Sequence, residues 1–306
     1  MKKSILLVIY LLIASNLFSQ KLILSFNLPV GTKYSTEFDI LSTVNQIIMG
    51  IEQDAKINML LLIDSEVVES TSEYSLVELS YKKFSIETSN AIFSFTINSH
   101  GKDANPSNSI YRSILDKSFF VKINEAGEII DIEGLNQIIL EILEEIPPED
   151  PLFENYKKTL VESFGENSLK QNYQQFSAVF PDYEVGVNDN WNFNSSSKAT
   201  EFEAQIFNTA TIKSISASTI IIQINSIIES TGEEQLEIEG MKGQITMTGS
   251  QVSEIHINPS TGLSKSGVVN QKIGGELKLT SIENKEEVFL IPMKITSKIQ
   301  IKNSIK

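Results

Sequence analysis

Cysteine is absent from the 306 residues. That removes disulfides, cysteine-ligated zinc or iron–sulfur sites, a catalytic thiol and a lipid-modified N-terminal cysteine. Histidine is nearly absent: His100 and His256 are the two copies, far apart in the chain. Zinc hydrolases need clustered ligands at spacings such as H-E-x-x-H, and nothing of the kind occurs. No glycine-rich phosphate loop or dinucleotide fingerprint follows a strand, and no G-x-S-x-G elbow is present. Basic residues are outnumbered, 25 Lys and Arg against 39 Asp and Glu, for a net charge of −14. That balance argues against wrapping nucleic acid or binding an anionic membrane surface.

One long apolar run exists, and it is at the start. Lys2 and Lys3 precede Ile5–Ile13, then Ala14-Ser15-Asn16-Leu17-Phe18-Ser19-Gln20. A basic n-region, a short apolar stretch and a small residue before the cut read as a secretory signal peptide over 1–19, cleaved after Ser19. The run is too short to span a bilayer as a helix, and no later stretch is long enough. The expected protein is exported to the periplasm or cell surface, is not a conventional lipoprotein, and has no transmembrane helix after cleavage.

Most of what remains alternates with period two. Tyr34, Thr36, Phe38 and Ile40 share a face, as do Gln53, Ala55, Ile57, Met59, Leu61 and Ile63. Phe202, Ala204, Ile206, Asn208, Ala210 and Ile212 form another set, and Met293, Ile295, Ser297, Ile299 and Ile301 a fourth. Strands with one apolar face suit an antiparallel sheet covered on one side. The middle has helical spacing instead. Leu135, Ile138, Ile139, Ile142, Leu143 and Ile146 recur at 3.6, ended by Pro147-Pro148. Two more sets follow: Leu152, Tyr156, Leu160, Val161 and Phe164, stopped by Gly165, then Leu169, Tyr173, Phe176, Val179 and Phe180, stopped by Pro181. A short helix is expected near Ser109–Lys117. The fold expected is α+β: two mainly antiparallel, curved β lobes over 20–133 and 181–306, with a helical segment over 134–180 packed on them.

The two β regions share phrases. Pro29-Val30-Gly31-Thr32-Lys33-Tyr34 and Glu184-Val185-Gly186-Val187-Asn188-Asp189-Asn190-Trp191 each run into alternating residues. Ile123-Asn124-Glu125-Ala126-Gly127 and Ile257-Asn258-Pro259-Ser260-Thr261-Gly262 each supply a hairpin turn. Asn136-Gln137 and Asn270-Gln271 repeat at the same offset. These matches read as a weak internal duplication; the alternative is that hairpins reuse the same turn chemistry.

Phe180-Pro181, Val185, Asp189 and Trp191, then Asn258-Pro259-Ser260-Thr261-Gly262, resemble an exported family of unknown function typical of Bacteroidota. Its F-P…V-x-x-G-D-x-W and N-P-x-T-G phrases extend over nearly all of the chain after residue 19. Asn188 stands where the family has Gly; Asn tolerates the left-handed backbone, so the turn survives. The resemblance implies a duplicated, curved antiparallel sheet with helices on it, similar in shape to periplasmic lipoprotein carriers, and no catalytic residues. The Asn258–Gly262 phrase is also similar to the start of a C-terminal sorting domain. No linker precedes it and it has a partner at Asn124, so a structural hairpin is the reading adopted.

Ser80-Tyr81-Lys82-Lys83 and Ser195-Ser196-Ser197-Lys198 match S-x-x-K but lack the S-D-N and K-T-G partners. Glu141, Glu144, Glu145, Glu149 and Asp150 read as a solvated helix face and turn rather than a glycosidase pair. Asn188-Asp189-Asn190 lacks a calcium loop and reads as an Asx-rich turn. Trp191 heads a strand and is expected at the sheet edge with its N–H bonded. His256 falls on the polar face of a strand, and His100 in a loop. The expectation is therefore no enzyme, with no catalytic residue, cofactor or metal. It is an exported envelope protein whose curved sheet can bind a hydrophobic ligand or lipid, with Ile57, Met59, Leu61, Ile220, Ile222 and Ile224 either lining that site or forming ordinary core under the helices. The alternative is a structural or protein-interaction module of the envelope, using a sheet edge or acidic face.

Overall fold

The computed structural model describes residues 21–101, 106–151, 153–174, 179–199, 202–230, 235–238, 241–282 and 288–306. The expected signal peptide, Leu152 and Phe176 lie outside the described residues. Thirteen strands form one antiparallel sheet: β1 (Lys33–Ile48), β2 (Ile51–Ser70), β3 (Tyr74–Ser89), β4 (Ser94–Asn98), β5 (Ser118–Asn124), β6 (Ile129–Glu133), β7 (Asn190–Ala199), β8 (Phe202–Ile215), β9 (Ile220–Ser230), β10 (Gln235–Ile238), β11 (Met241–Ile257), β12 (Ser264–Ser281) and β13 (Val288–Ile305). Four helices are described: α1 (Pro106–Ser113), α2 (Leu135–Glu144), α3 (Phe153–Phe164) and α4 (Glu166–Gln174). The strand order is β6-β5-β3-β2-β1-β13-β12-β11-β9-β8-β7, with β4 beside β3 and β10 beside β11. The two β-rich regions thus meet edge to edge where β1 pairs with β13, from Tyr34↔Ile305 to Gln46↔Met293. They are halves of one sheet, joined by a contact between residues more than 240 positions apart.

Alternation sets the faces as the sequence predicts. Tyr34 and Phe38 on β1, Leu61 and Ile63 on β2, and Ile299 and Ile301 on β13 are buried, while their neighbours in sequence are more open. The inner face is concave. The helices sit against its first half, where Phe164 of α3 meets Tyr81 at 5.2 Å and Phe84 at 4.9 Å between ring centroids, both edge-on. Every apolar residue expected on the inner side of α2 is buried, and Gly165 ends α3 with its N–H on Val161 O. Helix α4 touches both outermost strands, β6 and β7. The sheet therefore curls until one helix bridges its two edges. The stretch before β1 closes this end. Leu22 bridges to Val185, Phe26 N–H bonds to Glu125 O and Asn27 N–H to Thr261 O, and Leu24, Phe26 and Leu28 are buried.

The halves repeat one set of bonds. Gly31 N–H donates to Val67 O and Val67 N–H to Thr32 O; Asn188 N–H donates to Ile212 O and Ile212 N–H to Asp189 O. Gly31 (φ 84°) and Asn188 (φ 70°) are both left-handed, so Asn does fill the glycine position. Each second strand then carries a bulge, between Val67 and Glu69 and between Ile212 and Ser214. The turns that follow are capped alike, by Thr71 Oγ1 and Ser216 Oγ. Even the strand order repeats: β6-β5-β3-β2-β1, then β12-β11-β9-β8-β7, with β13 between.

Candidate functional site

The concave face carries the site. At its closed end, under α4, is a cavity of about 90 Å³. Phe38, Leu61 and Val121 from the sheet, Leu169 and Tyr173 from α4, and Phe180 give it an apolar wall. Each arrives by inward alternation on a strand or by the inward stripe of the helix. Hydroxyls interrupt the wall. Tyr34 is buried against Ser65, and burial pushes its hydroxyl up to about 12, with the Ser65 hydrogen bond opposing. Burial also raises Tyr81 and Tyr173. Asn303 Nδ2 donates to Ser264 O at 2.6 Å, yet Asn303 Oδ1 and Ser264 Oγ find no partner beside the cavity. A polar atom left dry costs about 1–3 kcal/mol, so a ligand able to donate to them would gain there.

Further along the strands a polar row crosses the concave face. Ser42, Ser297, Gln271, Gln251, Ser226 and Asn208 occupy consecutive register positions on β1, β13, β12, β11, β9 and β8. Neighbours bond along it. Ser42 and Ser297 hydroxyls lie 2.8 Å apart, Gln271 Nε2 donates to Gln251 Oε1 at 3.1 Å, and Ser226 Oγ donates to Asn208 Oδ1 at 2.7 Å. Asn208 Nδ2 continues to Ser195 Oγ at 3.1 Å. Positions related by the recurring bonds differ in kind. Phe38, Ile63, Tyr81 and Phe119 lie in the half that carries the helices; Ser195, Asn208, Ser226 and Ser253 take the corresponding places in the other.

Beyond the row the inner face turns apolar again. Val44, Ile273, Ile295, Met293, Ile291 and Phe289 are half-buried on it. Gly249 and Gly275 let the sheet bend sharply here: a Cβ on Gly249 would stand 2.9 Å from Ile273 Cα, and one on Gly275 2.7 Å from Met247 Cα. Ile273 then reaches across to the small buried cluster of Ala204, Ile206 and Ile228.

The six residues expected to line a ligand site separate. Leu61 lines the cavity. Ile57 and Met59 continue the same face outward, half-buried. Ile220, Ile222 and Ile224 are buried in the main core and do not reach the cavity. The other candidates are structural. Trp191 donates its indole N–H to Val179 O at 2.6 Å and is buried. Asp189 accepts from Gly186 N–H at 2.9 Å and pairs with Lys21 at 3.1 Å, which holds its carboxyl below the usual range and locks the Asx turn. His256 bonds Glu254 at 2.9 Å on the outer face, and His100 meets Ser99 in a turn. Ser195 serves Asn208. Lys82 is engaged with Asp116 at 2.6 Å, and Lys117 reaches Glu141 at 3.6 Å. Among the described residues no three His, Asp or Glu side chains gather to hold a metal ion, and no helix is long and apolar enough to cross a membrane. The polar row was missed, although Asn208 and Ser297 stand visibly inside otherwise apolar alternations.

Two solved structures illustrate the range of likeness. A lipovitellin structure titled for its lipid–protein interactions is 13% identical, with a TM-score of 0.45; the match covers 91% of this chain and 26% of that one, so the chain spans about a quarter of its length. An outer membrane channel from Pseudomonas putida F1 is 9% identical over 90% of this chain and 97% of the channel, with a TM-score of 0.21. Among curated proteins none matches. The model of a family of unknown function, DUF6263, matches residues 72–264, well over half of the sequence. The chain belongs to that family.

Proposed function

We propose that this is an exported, non-catalytic envelope protein that carries a hydrophobic molecule on the concave face of its sheet. One observation carries the reading: the face stays apolar on both sides of the polar row, and beyond the row its side chains on β1, β12 and β13 are only half-buried, whereas Ala204, Ile206, Ile228 and Met247 on β8, β9 and β11 are buried. A core made for stability alone would cover them, since each square ångström of apolar surface left in water forgoes about 25 cal/mol. The closed cavity is too small for an acyl chain, being smaller than the engineered cavity of about 150 Å³ that admits benzene. A chain therefore lies in the open part, and enters the basin only if α4 moves outward. The polar row then meets the ligand's polar atoms. The recurring bonds and strand order support a duplication, in which the corresponding inner positions are Phe38, Ile63, Tyr81 and Phe119 in one half and Ser195, Asn208, Ser226 and Ser253 in the other.

Native mass spectrometry of the protein isolated from its own cells tests this. A reproducible added mass that fragments as a lipid, and is lost on denaturation, is expected. A clean unliganded mass at several expression levels would overturn a tightly held ligand.

A further inference from the structure

The outer face of β11–β13 departs from the charge of the whole. Lys242, Lys272, Lys278, Lys294, Lys298 and Lys302 all point outward there and are exposed. Two glutamates, Glu254 and Glu276, share that face, and Glu254 is taken by His256; on the adjoining β1, Glu37 stands level with Lys302 and Asp39 with Gln300. None of the six lysines forms an ion pair among the described residues. Elsewhere lysines are engaged: Lys21 with Asp189, Lys33 with Glu66, Lys82 with Asp116 and Lys306 with Asp64. A chain of net charge −14 thus gathers unpaired positive charge on three adjacent strands. A curled sheet is curved across its strands but runs straighter along them, so this ridge can lie along a flat surface.

At one end the ridge turns apolar on both faces. On β13 the outward series Lys302, Lys298, Lys294 gives way to Leu290 (55% exposed) and Val288 (43%), while Phe289 and Ile291 point inward. Continuing the β1–β13 register brings the β1–β2 turn level with them. That turn, with left-handed Met49 and Gly50, exposes Met49 by 84% and Ile51 by 64%. Lys278 pairs directly with Leu290, and Lys242 lies two strands from Val288 through Thr280. Apolar side chains at a corner with lysines just behind them are the arrangement of an interfacial anchor, whose ammonium groups stay at headgroup level. Glu52 on β2 and Glu276 on β12 are acidic side chains on the outer face near this corner. The sequence between β12 and β13 carries Glu283, Lys285, Glu286 and Glu287.

We propose that the β11–β13 ridge docks on an anionic lipid leaflet, with the Met49–Ile51 turn and Leu290 entering the interface. This goes beyond ligand carriage and does not depend on it: an empty concave face leaves the ridge intact. A linear polyanion would also suit the lysines, but gives the apolar corner nothing to enter.

The test is flotation of the full chain with vesicles of phosphatidylcholine alone or with about one-third phosphatidylglycerol. Residues 1–20 are common to every variant, so differences between variants are read. Binding to the anionic vesicles is expected. Lys278→Ser with Lys294→Ser should weaken it about tenfold or more, since each basic residue near such a surface contributes about 1 kcal/mol. Met49→Glu with Leu290→Glu should weaken it by at least as much. Ile227→Glu, at an exposed outer position on β9, should leave it unchanged. Failure of the parent to bind overturns the proposal. So does equal loss in the Ile227 variant, or binding that dextran sulfate competes away while the corner variant still binds like the parent.

Discussion

Three glycines with positive φ give a graded test of how the closed end is held. Gly31 (φ 84°), Gly50 (φ 77°) and Gly262 (φ 68°) share the same backbone region, but their surroundings differ. A Cβ built on Gly31 or Gly50 meets nothing within 4 Å. On Gly262 it would run into the carbonyl oxygen of Ser25 and stand 2.9 Å from Phe180 Cε2. Alanine in the left-handed region costs about 1–2 kcal/mol. It regains about 0.4–1 kcal/mol by restricting the unfolded chain. Gly31→Ala and Gly50→Ala should therefore lose roughly 0.5–1.5 kcal/mol. Gly262→Ala pays the same plus about 1–3 kcal/mol of overpacking, because a backbone carbonyl cannot swing aside like a side-chain tip. With a urea slope of about 3 kcal/mol/M, the midpoint should fall by a few tenths of a molar in the first two variants and by about 1 M in the third. Equilibrium urea unfolding followed by Trp191 fluorescence reads all three, since that side chain is buried beside the same closed end. Equal shifts would refute the reasoning: the β11–β12 hairpin would not be seated on the segment before β1.

Other outcomes follow from single side chains. Phe164→Ala empties the centre of the ring cluster with Tyr81, Phe84 and Tyr111 and should cost about 3–5 kcal/mol by urea unfolding. Tyr34, raised to about 12 from an ordinary 10.0, is held neutral by folding. Its contribution is complete below pH 10 and disappears as pH rises through 12, so stability should fall steeply across that window and Tyr34→Phe should flatten the fall. Absorbance of tyrosinate during alkaline titration checks it. Asn208→Ala leaves the buried Ser226 hydroxyl without its acceptor and should cost about 1–3 kcal/mol, whereas Asn208→Ala with Ser226→Ala should cost less than the sum of the two single changes.

Local pattern made the elements legible and long-range pairing did not. The inward sets on β1, β2, β8 and β13 follow from period two, and the buried stripe of α2 from period 3.6, because each depends on neighbours in the chain. The β1–β13 seam joins Tyr34 to Ile305, and no local rule brings those residues together. Without that seam Ser42 and Ser297 are unrelated serines; with it they are adjacent members of one row. The cavity under α4 was hidden for the same reason. Its wall draws on β1, β2, β5, α4 and β13, so Leu61 could be named from alternation while Tyr173 and Asn303 could not. For Ile220, Ile222 and Ile224 the sequence leaves lining and core both open, because alternation reports which face a side chain takes, not what that face meets; the structure puts them in the core.

Net charge misleads in the same way, and the ridge shows why. A total of −14 sums over all faces and discards position. Outward lysines at Lys294, Lys298 and Lys302 recur every four residues on a strand, which keeps them on one face with Thr296 and Gln300 between them, while Glu37 and Asp39 of β1 stand level with Lys302 and Gln300. Screening makes position the governing quantity: at physiological ionic strength a charge is felt over about 8 Å, far less than the length of an eighteen-residue strand such as β13. A flat anionic surface against the ridge therefore meets the lysines, opposed by Glu37 and Asp39 one strand away, and hardly senses the acidic helix face bearing Glu141, Glu144 and Glu145. The exclusion of anionic membranes on total charge holds for a protein with uniformly mixed charges. Here the strand period gathers lysines on one face, which is why an anionic surface is the partner proposed for it.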